Sequence, residues 1–146
     1  MAKEKVLITV KTYPTLSSKY DEVVCTAGLR EDGSWVRIYP IPFRKLDDYD
    51  QYKKFDWIEV DLERNLADPR SESYRLNSSI KVLRQIDTRQ NWRERRDLVL
   101  SKSKVYTNFA EIIERNKNGR ELSLATFKPT EIAGFIIEED EREWDQ

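Results

Sequence analysis

Histidine is absent from this 146-residue chain, and cysteine occurs once. The first absence removes Ser–His, Cys–His and His–metal arrangements, which need an imidazole as base or ligand. The second removes an internal disulfide and a cysteine-built zinc site. Glycine is scarce too: residues 28, 33, 119 and 134 are too scattered to form a phosphate-cradling loop. No Glu-x-Lys or Asp-x-Lys tripeptide occurs, so a common metal-nuclease pattern is missing. No apolar run approaches the roughly 20 residues of a membrane span. The opening Met1-Ala-Lys-Glu-Lys-Val6 lacks the apolar core of a signal peptide. These features lead us to expect a cytoplasmic chain with no membrane role and no cofactor.

Charge and aromatic rings are plentiful. Charged residues make up 36% of the chain and hydrophobic residues 38%, which implies a small core under a heavily charged surface. Four Trp, seven Tyr and five Phe argue against a disordered chain. The net charge of −1 conceals a polarised layout. Residues 70–104 carry ten Lys/Arg against four Asp/Glu, whereas residues 131–146 carry seven Asp/Glu against one Arg. A local basic segment can bind phosphates within a neutral protein.

Strand signals dominate the first two thirds. Residues 5–11, 22–30, 35–39, 56–63 and 79–86 alternate or run aliphatic, and Arg70 to Tyr74 reads as a short edge strand. Residues 12–21 form a polar loop long enough to bind a ligand. Asp32-Gly33 supplies a hairpin turn, and Pro40 and Pro42 are expected to end pairing because neither has an N–H. Val23, Cys25, Ala27 and Leu29 share a strand face, which makes Cys25 a small core residue rather than a nucleophile. Residues 43–54 read as a short helix or irregular crossover. Residues 89–102 form a helix capped by Asp87 or Thr88. Residues 108–117 form a second helix, with Asn108 and Glu111 imitating a capping box and Asn118-Gly119 as its stop. Residues 121–127 and 130–138 are strand candidates. We expect one barrel-like domain over 1–138 and an acidic tail over 139–146, carrying Trp144, which is either a frayed end or the start of a junction to a further domain.

Four constellations carry chemistry. On the strand at 35–39, Val36 and Ile38 face one way and Trp35, Arg37 and Tyr39 the other. With the aliphatic face in the core, the aromatic–cationic face suits base stacking and phosphate pairing, and Trp57 could join it from a neighbouring strand; the alternative is that the tryptophans are themselves core and the aliphatics pack against helices. The second is Phe43 with Arg44, held beyond two prolines at low conformational cost. The third is the basic helix, where Arg89, Arg93 and Arg96 recur at helical spacing and could line a phosphate track, unless they form a solvated face. The fourth is the carboxylate set Asp56, Glu59, Asp61 and Glu63, of which Glu59 and Asp61 share a strand face that could hold Mg²⁺.

Cys25-Thr-Ala-Gly-Leu29 followed by Gly33-Ser-Trp-Val-Arg37 resembles the opening hairpin of poorly characterised bacterial dual-OB and PUA-like domains. The continuation through Arg44, then Trp57-Ile-Glu59 and Arg70-Ser-Glu-Ser-Tyr74, is similar to a subgroup in which this segment is the N-terminal domain of a longer protein. The resemblance implies a small β-barrel and a nucleic-acid- or modified-base-binding role, and it supplies no catalytic residue.

The expected fold is therefore α+β: a small, mostly antiparallel OB/PUA-like barrel or bent sheet with about two helices. The leading expected function is a non-catalytic module for DNA or RNA. The alternatives are a protein-interaction domain of a larger bacterial assembly and a Mg-dependent nuclease or nucleotide-processing enzyme.

Overall fold

The computed structural model describes residues 3–17, 21–117 and 121–140. Eight strands come first: β1 (Glu4–Lys11), β2 (Thr15–Ser17), β3 (Asp21–Arg30), β4 (Trp35–Ile41), β5 (Asp56–Val60), β6 (Leu62–Arg64), β7 (Ser73–Leu76) and β8 (Lys81–Gln85). Then follow helix α1 (Arg89–Lys102), β9 (Val105–Tyr106), helix α2 (Phe109–Asn116) and β10 (Thr126–Phe127). The main sheet runs β6-β7-β4-β3-β1-β5-β8, with β2 added to β3. Every pairing in it is antiparallel except β4 with β7. The architecture is thus α+β, a strongly curled, barrel-like sheet with two helices.

The curl has a simple cause. β5 and β6 lie near opposite ends of the pairing order, yet only Asp61 separates them in the chain. The two ends of the sheet must therefore approach one another. Asn77 holds that junction, its backbone N–H donating to the Asp61 carbonyl at 2.9 Å and its side-chain amide to the Asp61 carboxylate at 3.2 Å. Register shifts between Ile8 and Val10, Val24 and Thr26, and Trp57 and Ile58 add local bends.

Inside the curl, Val6, Ile8, Val36, Ile38, Ile58 and Val60 form the core, as their alternation predicts. Its largest buried side chain is Tyr52, from the crossover between β4 and β5. That crossover is not a helix but two short 3-10 turns, Phe43–Lys45 and Asp48–Asp50, followed by irregular chain. The Tyr52 hydroxyl shares a hydrogen bond with the buried Thr26 hydroxyl of β3, so its polar end is satisfied.

Several expectations are corrected. The strand expected over 56–63 breaks at Asp61 and serves both ends of the sheet. Pro40 does not end β4; Ile41 still pairs with Val24 beyond the shift in register, and the strand stops before Pro42, as expected. The same shift turns Cys25 out of the core: Val24 and Thr26 are buried and Cys25 is half-exposed. Helix α1 is interrupted at its start, with Gln90, Asn91 and Trp92 in the left-handed region, so Arg89 does not stand one helical turn from Arg93. Thr88 occupies the cap position without a side-chain bond, while Asp87 accepts from the Arg89 N–H. Of the strand expected at 121–127 only Thr126 and Phe127 pair, and residues 130–138 form no strand at all. For α2, Asn108 accepts the Ala110 N–H as an N-cap, but Glu111 pairs with Lys104 and Arg115 instead of completing a capping box. The Asn118-Gly119 stop and Trp144 lie outside the described residues.

Gly28 sits opposite Ile8 where β3 crosses β1. A Cβ there would overlap the Leu7 carbonyl oxygen and stand 2.8 Å from Val6 Cγ1, both fixed parts of the sheet. Gly28→Ala is expected to lower unfolding stability by at least about 2 kcal/mol through overpacking. Urea denaturation measures this; an unchanged midpoint would show that β1 and β3 separate freely.

Candidate nucleic-acid interface

The aromatic–cationic face of β4 does not remain one surface. Arg37 is only 8% exposed. Its guanidinium donates to the Ser123 hydroxyl at 2.8 Å, and the Ser123 N–H and hydroxyl donate in turn to Glu72 at 2.9 and 2.8 Å. Burial raises the Glu72 carboxyl, but hydrogen bonds, chiefly the two from Ser123, together hold the group below its ordinary value. Arg37 is thus a structural clasp between the barrel and the chain after α2. Trp35 is half-buried at the hairpin end of β4, and Tyr39 is exposed at the other. Trp57 is half-buried on β5, paired with Leu7 and Arg84 at the opposite side of the sheet order.

Tyr39 borders a cleft of about 420 Å³ shared with Asn65, Asp68, Arg70 and Arg75. Asp68 neutralises Arg70, whereas Arg75 meets the neutral amide of Asn65. Arg70 Nε donates to Asp68 at 2.8 Å, Ser73 Oγ donates to the same carboxylate at 2.7 Å, and Arg75 donates to Asn65 at 2.9 Å. Arg89 and Arg93 border a groove of about 460 Å³ with Asp87, Glu94 and Asp97. Its lining mixes both signs, and two of its three carboxylates are engaged by neighbouring arginines, Glu94 by Arg84 and Asp97 by Arg96. Arg96 is exposed and pairs with Asp97 at 3.5 Å. Arg95 instead ties α1 to the barrel: its guanidinium lies 4.4 Å from the Phe55 ring centre and donates to the Ile86 carbonyl at 2.9 Å.

A third cleft, about 510 Å³, opens where β1 meets the β4–β5 crossover. It brings Phe43 and Arg44 together with Lys11, Tyr13, Gln51 and Lys54. Three cations and no carboxylate line it. Thr12 fixes the rim by exchanging hydrogen bonds with the Cys25 backbone: its N–H donates to the Cys25 carbonyl, and its hydroxyl accepts the Cys25 N–H, both at 3.0 Å. Tyr13 beside it is 92% exposed. Lys11 Nζ stands 3.3 Å from the centre of the Phe43 ring and donates to the Tyr52 carbonyl at 3.4 Å. Burial pulls the Lys11 ammonium below its ordinary value, with Asp56 opposing the shift. Phe43 also meets Tyr52 edge to face at 5.2 Å between ring centres. Arg44 pairs with Glu22 at 2.8 Å while its side chain stays largely exposed.

Of the nine sequence-predicted site residues, the structure joins only Phe43 and Arg44 in this cleft. Lys11, Tyr13 and Lys54 were missed as individuals, although the loop after β1 carried the signal of a binding loop. The carboxylates disperse: Asp56 is buried and accepts the Lys53 N–H at 2.7 Å, Glu59 pairs with Lys3 at 3.6 Å, Asp61 marks the break between β5 and β6, and Glu63 is exposed. Among the described residues no group of three or more His, Cys, Asp or Glu side chains could hold a metal ion. Nor is any helix among them long and apolar enough to cross a membrane.

One family is shown by a model that matches more than half of the chain. The chain belongs to the one described as Domain of unknown function (DUF8758), whose model matches residues 2–101. That span covers the barrel and nearly all of α1, and leaves out the segment that clasps Arg37. No curated protein and no solved structure matches the chain.

Asp68 provides a pH test of the second cleft. Arg70, aided by Ser73, holds its carboxyl well below the ordinary value of 3.8. A depressed folded-state value stabilises the fold fully above the unfolded value, and that stabilisation is lost as pH falls through the folded one. Asp68→Asn is therefore expected to be less stable than wild type at neutral pH, with the gap closing toward about pH 2. Thermal melts across pH check this; a pH-independent gap would mean that the carboxylate charge is not what Asp68 contributes.

Proposed function

We propose that this protein is a non-catalytic binding module for single-stranded nucleic acid, with the cleft between β1 and the β4–β5 crossover as its site. The observation that carries this reading is the cleft's lining of three cations and no carboxylate beside a fully projecting tyrosine. Tyr13 offers an uncovered ring to a base. Lys11, Arg44 and Lys54 surround it with phosphate partners. Phe43 has its face covered by Lys11 and its edge by Tyr52, so it positions the ammonium and leaves stacking to Tyr13. An exposed ring among cations is the arrangement by which single strands are held with little dependence on sequence. The resemblance of the Cys25–Arg44 hairpin to dual-OB and PUA-like domains agrees with this reading.

Titrating a fluorescent single-stranded oligonucleotide at several salt concentrations tests it. Tyr13→Ala is expected to cost about 1–3 kcal/mol of binding. Arg44→Ala and Lys54→Ala are each expected to weaken binding and to reduce the log–log salt slope by about 0.7. Arg93→Glu with Arg96→Glu, on helix α1 outside the cleft, is expected to change affinity less than either single cleft variant. Absence of binding at low salt, or loss of binding only in the helix variant, would contradict the assignment.

A further inference from the structure

The chain beyond β10 carries a second feature, independent of the cleft. Residues 131–140 read Glu-Ile-Ala-Gly-Phe-Ile-Ile-Glu-Glu-Asp, and every one of them is exposed. Ile132, Phe135, Ile136 and Ile137 are 79–87% exposed. Such β-branched and aromatic content is that of a strand, and extended chain would place Ile132 and Ile136 on one face, Phe135 and Ile137 on the other. A segment apolar on both faces needs cover on both sides.

The same chain offers a matching surface. Helix α2 presents Phe109 and Ile113, four residues apart and both exposed. Phe127 of β10 packs beside Phe109 at 5.4 Å between ring centres and is itself exposed. β9 and β10 form a sheet of only two strands, so its outer edges are unpaired among the described residues. An added strand there would gain a hydrogen-bonding edge and an apolar helix face together. The charges also match: residues 102–117 carry four Lys/Arg against two Asp/Glu, while residues 131–140 carry four Asp/Glu and no Lys/Arg.

We infer that two copies of this chain exchange their 130–138 segments, each laying its strand on the α2–β9–β10 surface of the other. Each copy holds one donor strand and one acceptor surface, so the exchange is reciprocal and closes as a two-fold dimer. Among the described residues, 130–140 do not cover this surface in their own copy, since all of them are exposed. Burying one face of each strand against the acceptor side chains on both copies removes on the order of 1,200 Å² from water, the lower end for a specific interface.

Light scattering coupled to size exclusion, on the full chain over a range of concentrations, tests the exchange. Wild type is expected at the mass of a dimer that dissociates on dilution. Phe135→Glu and Ile113→Glu are each expected to run as monomers, with circular dichroism unchanged because both side chains lie outside the barrel core. Mixing the two variants is expected to restore part of the dimer peak, because one donor and one acceptor survive in the pair. Three results would overturn the inference: a monomeric wild type at every concentration, a Phe135→Glu variant as dimeric as wild type, or folded variants that fail to associate when mixed.

Discussion

The fully buried Tyr52 is the interaction on which the rest of this structure depends. It comes from an irregular crossover, yet it occupies the centre of a core otherwise built from strands. Its hydroxyl is satisfied by Thr26 on β3, which locks the crossover to the middle of the sheet. Its ring supports Phe43, and its carbonyl accepts Lys11. One side chain thus couples barrel closure to the floor of the cationic cleft. A buried hydroxyl with a partner specifies a single arrangement, because any shift of the crossover would strand two polar groups in an apolar interior.

Electrostatic balance separates the candidate surfaces. Arginine is abundant from Arg70 onward, but the grooves that these guanidiniums line also hold carboxylates. Arg89 and Arg93 share theirs with Asp87, Glu94 and Asp97, and Arg70 is engaged by Asp68. The cleft at β1 has no acid among its lining residues. Local imbalance, rather than the number of basic residues, sets the potential that a phosphate meets.

Much of the fold was legible, and the limits of legibility have physical causes. The alternation of Val36 with Ile38 and of Ile58 with Val60 located the core correctly, because period-2 burial is a local property. Arg37 read as outward-facing by the same rule, and was buried by Ser123, a contact set by tertiary packing far along the chain. Trp35, Tyr39 and Trp57 were grouped by face, but the curl of the sheet sends them to different surroundings. Lys11 and Lys54 escaped notice because only the crossover brings them together. Residues 130–138 read as a strand because their side chains suit one, yet within their own copy they are exposed and pair with no edge.

The proposed function rests on the cleft where Lys11, Tyr13, Phe43, Arg44 and Lys54 converge. Amide chemical-shift mapping of the labelled protein, titrated with a short single-stranded oligonucleotide at low salt, tests it most directly. The expected result is perturbation concentrated at residues 11–14, 43–44 and 51–54, fading as salt rises. Perturbation confined to the Asp87–Ser101 groove, or none anywhere, would contradict it.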